Sequence, residues 1–407
     1  FDYNNKKVLL RLDINSPIDI ESKKITNENR IKKSIPTIKY LLDKNAKVAL
    51  IAHQGDTLDY QNLISLKEHS LKLSEYLEKD VKYIDDVAGG FAINEIKNLE
   101  AGQCILLGNL RYLTEEISTF ENSVKLTPEK MQECYLVRRY QGLFDFYVND
   151  AFSAAHRNAP SMVAFQNTLP SAAGYLFVDE VSNLNKIISN PDKPCVFVLG
   201  GAKISDAFGM INQVLSNETA DNILTTGITG EIFLIASGYD IGETKRKFLE
   251  NRNLLGFVND AKEYLNNYPD KIEFPKDLGF KKDNKRCEIE INKLPQNEMF
   301  MDIGSKTLKA YEEIINSANT IFVNGPAGVY EEKMFEKGTK RLWKVISKAK
   351  GYSVIGGGDT VSAASQYINL EDINYVCTAG GAMVRYLSGK KLPLIEAMEN
   401  AYIQNKE

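Results

Sequence analysis

Residues 195–208 read CVFVLGGAKISDAF, and the reading of this stretch decides the fold. Val196, Phe197, Val198 and Leu199 form an uncharged apolar run, the pattern of a strand buried on both faces of a parallel sheet. Gly200 and Gly201 then allow a tight turn with close backbone approach, and the pattern beyond them is helical. A glycine turn that opens a helix presents free N–H groups and the positive end of the helix dipole, an arrangement that favours phosphate. Lys203, where the helix begins, adds a mobile point charge suited to a phosphoryl group in transit. GGAK is not the Walker pattern, and a purely structural turn has the same composition, so its meaning depends on the rest of the chain.

Outward from this stretch, the same style recurs. Residues 8–14, 48–53, 104–110 and 146–152 read as short apolar strands, and 30–43, 65–79 and 128–142 as amphipathic helices. The second half repeats the design with strands at 195–200, 221–227, 320–325 and 352–358. Strands alternating with helices predict parallel sheets covered on both faces, the α/β doubly wound class. Two half-chains of similar design predict two Rossmann-like domains facing a cleft. The boundary is expected between Pro170 and Pro194, where VDEVSNLNKIISN reads as a connecting helix. Ligands of such sheets gather at the carboxyl ends of the strands. Here the polar residues and glycines concentrate at those ends.

Composition narrows the class. A chain of 407 residues with 43% hydrophobic and 26% charged content can bury a large core. Its net charge of −4 argues against a general nucleic-acid surface. No apolar run approaches the roughly 20 residues of a membrane helix, so no membrane partner is expected. Five scattered cysteines fit reduced thiols and a cytoplasmic location rather than a disulfide framework. A monomer is expected, with a dimer as the alternative.

Two groups of residues carry chemistry. In the first half Arg30, Arg111 and Arg157 lie at strand ends and turns, and arginines that converge grip a carboxylate or phosphate through paired hydrogen bonds. His53 and His156 are candidates for the same cradle, although each arginine or histidine taken singly is as readily a surface or packing residue. Asp13 and Asn15 in RLDINSP either orient substrate hydroxyls or cap the turn before Pro17. In the second half, NGPAGVYE (324–331) and IGGGDT (355–360) follow strands, and TAGGA (378–382) is a third glycine turn. Asp359 is suited to the magnesium of a nucleotide. Three such turns together with GGAK favour a polyphosphate ligand over glycines used only for turning.

These motifs resemble phosphoglycerate kinase across essentially the whole chain, in the form found in archaea. The matching stretches are RLDINSPID, NRIKKSIPTIKYL, IAHQG, LLGNLRYLTEE, YVNDAFSAAHR, VLGGAKISD, DIGSKT, NGPAGVYE and IGGGDT. The resemblance implies magnesium-dependent phosphoryl transfer between 1,3-bisphosphoglycerate with ADP and 3-phosphoglycerate with ATP. It implies an acid-binding domain over 1–172, a nucleotide-binding domain over 173–388 and a segment from 389 that returns to the first, with hinge closure between the domains. By position, Asp13, Asn15, Arg30, His53, Gln54, Gly55, Arg111 and Arg157 would hold the acid, and Arg30 and Lys203 would act in catalysis. Gly201, Lys203, Gly227, Asn324, Pro326, Glu331, Gly357, Gly358, Asp359 and Thr360 would hold the nucleotide. Gly380 and Gly381 would add a phosphate turn, and Asp359 would bind the metal. A nucleotide-binding regulatory protein of the same fold is the alternative. The chain departs from the family pattern at Asp56, Gly108, Ala207 and Ala379. Asp56 and Ala207 stand where cations are common.

Overall fold

The computed structural model describes residues 1–55, 61 and 63–404. Six strands form the first sheet: β1 (Lys7–Arg11), β2 (Lys47–Ile51), β3 (Val81–Tyr83), β4 (Cys104–Leu106), β5 (Phe146–Asn149) and β6 (Ser171–Ala173). They run in the order β3-β4-β2-β1-β5-β6, and every pairing is parallel. The strands are apolar on both faces because helices cover both, as crossover connections between parallel strands require. The helix Asn29–Asp43 shows how: Ile31, Ile38, Leu41 and Leu42, at helical spacing, are buried against Val8, Leu10, Val48 and Leu50.

The second parallel sheet is built from β7 (Cys195–Leu199), β8 (Asn222–Thr225), β9 (Ile272–Glu273), β13 (Thr320–Asn324), β14 (Tyr352–Ile355) and β15 (Tyr375–Val376). Its order is β15-β14-β13-β7-β8-β9, again wholly parallel. Between β9 and β13 the chain makes a three-stranded antiparallel sheet of β10 (Asp277–Lys282), β11 (Lys285–Glu290) and β12 (Phe300–Ile303), which the sequence reading missed.

The chain divides into two compact units. One comprises Phe1–Val181 and the chain from Lys391 on; the other is Ser182–Lys390. The boundary falls inside the helix Tyr175–Ile188. The last helix, Pro393–Gln404, packs within the first unit against the short helix Pro160–Val163 and β6, and Leu394 N–H donates to Ala155 O at 3.2 Å. Among the described residues no helix is long and apolar enough to cross a membrane.

One expected helix is corrected. Residues 128–142 form a 3-10 turn, Lys130–Glu133, and a separate helix, Tyr135–Tyr140. The break at Cys134 has a local cause: the Glu115 carboxylate accepts from the N–H of Tyr135 at 3.1 Å and of Leu136 at 2.6 Å, which starts a new helix there.

Candidate functional site

Each parallel sheet has one point where the chain leaves a central strand in one direction and later returns on its other side. In the first sheet this is β1 against β5, and in the second β7 against β13. Crevices at the carboxyl ends of such strand pairs are where open α/β sheets bind ligands. A polar cluster stands at each.

At the end of β1 in the first unit, Asp13 is 5% exposed. Its carboxylate accepts from Arg30 Nη1 at 2.8 Å, from Asn15 N–H at 3.0 Å and from the Ser153 hydroxyl. Burial opposes its ionisation, but the charge of Arg30 and these donors outweigh burial and hold the carboxyl well below the usual carboxylate range. Asp13 therefore reaches Arg30 directly, and Asn15 Oδ1 accepts from Gly55 N–H at 3.1 Å.

Arg11, which the sequence reading passed over, occupies the centre of the cluster. It is buried, and burial pulls its pKa down. Its Nε donates to Ser161 Oγ at 3.2 Å and its Nη2 lies 3.1 Å from His53 Nδ1. A guanidinium only donates, so Nδ1 accepts and the imidazole proton sits on Nε2. His53 is held neutral, far below its ordinary pKa, first by burial and then by Arg11, Arg111 and Arg157, with Asp13 opposing. The Ser161 hydroxyl passes the bond on to the buried carboxylate of Glu116 at 2.6 Å. Arg111 donates from Nη1 to Glu116 O at 2.7 Å, and Arg157 pairs with Glu121 at 2.7 Å. Arg11, His53, Arg111 and Arg157 thus line one small cavity of about 10 Å³, together with Glu116. A space of that order holds a single water. Three guanidiniums against the carboxylates of Glu116 and, on Arg157, Glu121 still leave it net positive, the field an anion seeks.

Gln54 has a different place. It is buried, its Oε1 accepts from Ser16 N–H at 2.9 Å and His69 Nε2 at 3.0 Å, and its Nε2 donates to Ser16 O at 2.9 Å. It fastens the loop after β1 to the loop after β2. Asp56 lies outside the described residues. At Gly108 an added Cβ would stand 3.1 Å from Val87 Cγ2 and from the backbone of Asp86, so a glutamate here would have to move its neighbours.

In the second unit the glycine turns interlock. β7, β13 and β14 are neighbours, so the turns that follow them are neighbours too. Gly200 N–H donates to Asn324 O at 2.9 Å and Gly201 N–H to Pro326 O at 2.8 Å. Gly325 N–H donates to the Thr360 hydroxyl at 2.8 Å, and Asn324 Nδ2 to Gly356 O at 2.8 Å. Gly227 N–H donates to Ala327 O at 3.0 Å. Gly325 has φ +90°, and a Cβ there would meet Gly200 O at 2.2 Å, so glycine is required. Thr360 and Asn324 act on other turns, whereas Gly201, Gly227, Pro326, Glu331 and Asp359 line a cavity of about 510 Å³.

Lys203 and Asp359 stand at the starts of the helices Ile204–Ser216 and Gly358–Tyr367, both mostly exposed, with Lys203 Nζ 3.6 Å from Asp359 Oδ2. Gly380 and Gly381 begin the helix Gly381–Leu387 after the edge strand β15 and do not line the cavity. Ala207 is buried in the helix that Lys203 opens. Among the described residues no three His, Cys, Asp or Glu side chains are grouped to cage a metal. One exposed carboxylate beside glycine turns at helix N-termini fits magnesium, which takes few protein ligands and completes its shell with phosphate oxygens and water.

Among the charged residues of the cavity that no motif marked, two are buried. Glu231 and Lys245 line it, both almost wholly buried, with Lys245 Nζ 2.7 Å from Glu231 Oε1. A signal was present in GITGEIFLIA, where one carboxylate interrupts an apolar helix, just as Arg11 interrupts VLLRLDI.

Residues 1–390 match the family model described as phosphoglycerate kinase. The phosphoglycerate kinase of Methanothermus fervidus is 42% identical over 401 residues, 98% of this chain and 96% of that protein. That of Methanococcus maripaludis is 40% identical over 415 residues, covering 100% and 98%. The crystal structure of phosphoglycerate kinase from Pyrococcus horikoshii OT3 superposes with a TM-score of 0.86 at 35% identity, covering 99% of this chain and 98% of that one.

Proposed function

The chain belongs to the phosphoglycerate kinase family, and from that premise we propose that it transfers a phosphoryl group reversibly between ATP and the carboxylate of 3-phosphoglycerate. The observation that carries the reading is the pairing of chemistries within one chain. One switch point gathers Arg11, Arg111 and Arg157 around a neutral His53, and the other interlocks glycine turns at helix N-termini.

In the direction of acyl phosphate synthesis, a carboxylate oxygen of 3-phosphoglycerate attacks the γ-phosphorus of ATP, and the bond to the β,γ-bridging oxygen breaks. The products are 1,3-bisphosphoglycerate and ADP. No proton is in flight, because the carboxylate is already ionised, so positioning and charge neutralisation supply the catalysis. Arg30, oriented by Asp13 at 2.8 Å, holds the acid with Arg111, Arg157 and His53. Asn15 and Gly55 shape the adjoining loop. Lys203 neutralises the phosphoryl group as it moves, and the turns at Gly201, Gly227, Asn324, Pro326 and 357–360 receive the nucleotide, with Glu331 toward its ribose. Asp359, with nucleotide phosphates, would hold magnesium, which would supply charge neutralisation on the phosphate oxygens.

A coupled assay with ATP, 3-phosphoglycerate and magnesium tests the proposal. Transfer above background, abolished by chelation and restored by added magnesium, is the expected result. Protein that binds ATP without transfer would instead support a regulatory role.

A further inference from the structure

The helix Gly227–Ala236 begins at one of the phosphate-type turns, and its fifth residue is Glu231. Residues i and i+4 share a helix face, so Glu231 lies about 6 Å deeper than Gly227 along the same side. Both line the 510 Å³ cavity, whose wall also carries Ile228, Leu278, Phe300 and Ile303 beside Asp302. Glu231 Oε1 is held by Lys245 Nζ at 2.7 Å, and Lys245 is itself anchored to Phe300 O at 2.8 Å. Glu231 Oε2 is buried and has no hydrogen-bond partner among the described residues. A buried carboxylate oxygen without a donor is costly, and a carboxylate fixed by an ammonium can only accept. The site is complete once a ligand brings an N–H group to Oε2.

Resting on the kinase reading above, we infer that Glu231, oriented by Lys245, recognises the 6-amino group of the adenine base of the nucleotide. Phosphates gather at the glycine turns near Gly201 and Asp359, and the flat base enters the same cavity toward Glu231. Its exocyclic N–H then meets Oε2. Lys245 is a positioning residue: its charge favours the ionised carboxylate against burial, and it occupies Oε1, so that one acceptor faces the base.

The test is calorimetric titration of the full chain with ADP and with purine riboside 5′-diphosphate, which lacks only the 6-amino group. The expected result is ADP binding tighter by about tenfold or more, the scale of one hydrogen bond to a buried charge. The paired substitution Glu231→Met with Lys245→Met replaces both partners by apolar groups of similar length, which a core tolerates far better than loss of one charge. In that variant the two ligands should bind within about twofold of each other, the scale left when no polar group discriminates them. Equal affinities in the wild type overturn the inference without any variant, and so does an undiminished preference in the paired variant. Should the chain bind neither diphosphate, the kinase reading falls as well. Should it bind both equally and still transfer phosphoryl groups, only the inference falls.

Discussion

Lys203 is about three-quarters exposed and pairs with the equally exposed Asp359 at 3.6 Å, so solvent screens the pair and it adds little to stability. Its charge is available for a developing negative charge. We expect Lys203→Ala to lower kcat by about 100-fold or more while ADP affinity changes much less, the signature of a group needed chiefly in the transition state. Steady-state kinetics beside calorimetric ADP binding check this; equal losses would make Lys203 a ground-state binder. Arg30 differs, being fixed by the buried Asp13. Arg30→Ala should weaken 3-phosphoglycerate by about 1.5–3 kcal/mol, the worth of a charge-assisted hydrogen bond, read as a rise in KM. An unchanged KM would remove Arg30 from the acid site.

Among the elements, the interlocked turns are the most constrained part of the second unit. Gly325→Ala places a Cβ on Gly200 O at a positive φ and should destabilise the protein by at least ~2 kcal/mol, with loss of ADP affinity. Gly256→Ala, where a Cβ meets nothing within 4 Å, is the control and should leave the melting temperature nearly unchanged. Thermal unfolding of both variants separates strain from a generic effect of alanine. These turns were legible in the sequence as turns because glycine after an apolar run ends the strand and allows close backbone approach. So were β1, β2, β7 and β13, whose uncharged cores admit no half-exposed alternative. The antiparallel sheet was not: DLGFKK and KRCEIE carry four lysines and arginines and three carboxylates, and only the fold reveals that Arg286 is drawn to buried Asp302 at 2.9 Å. Arg11 and Glu231 were overlooked for a related reason. A charge inside an apolar run is visible, but the partner that makes it tolerable is far away in sequence: Arg11 with His53 and Ser161, Glu231 with Lys245.

At the scale of the whole molecule, two features set how it responds to conditions and how it is assembled. His69 is fully buried, and burial lowers its pKa to about 4 from an ordinary 6.5. Its folded form therefore resists the proton that the unfolded chain accepts, so its contribution is complete above pH 6.5 and is lost as pH falls toward 4. At pH 5 the loss is about 2 kcal/mol, from 1.5 pH units at 1.36 kcal/mol each. Denaturant unfolding at pH 7 and pH 5 should show that much less acid sensitivity in His69→Phe than in the wild type; equal sensitivity would exonerate this histidine. The second feature is the return of the chain, from Lys391, to the first unit. During synthesis the ribosome delivers all of 182–390 before the helix Pro393–Gln404 exists, so the unit encoded later can finish folding first, while the earlier one waits with the surface around Ala155 and Pro160–Val163 uncovered. That interval is when a nascent chain of this kind is most exposed to aggregation. A chain stopped after Lys390 makes the interval permanent. We expect it to keep the second unit's ADP binding while the first unit becomes sensitive to limited proteolysis, and equal resistance in both units would show that the early unit closes without its last helix.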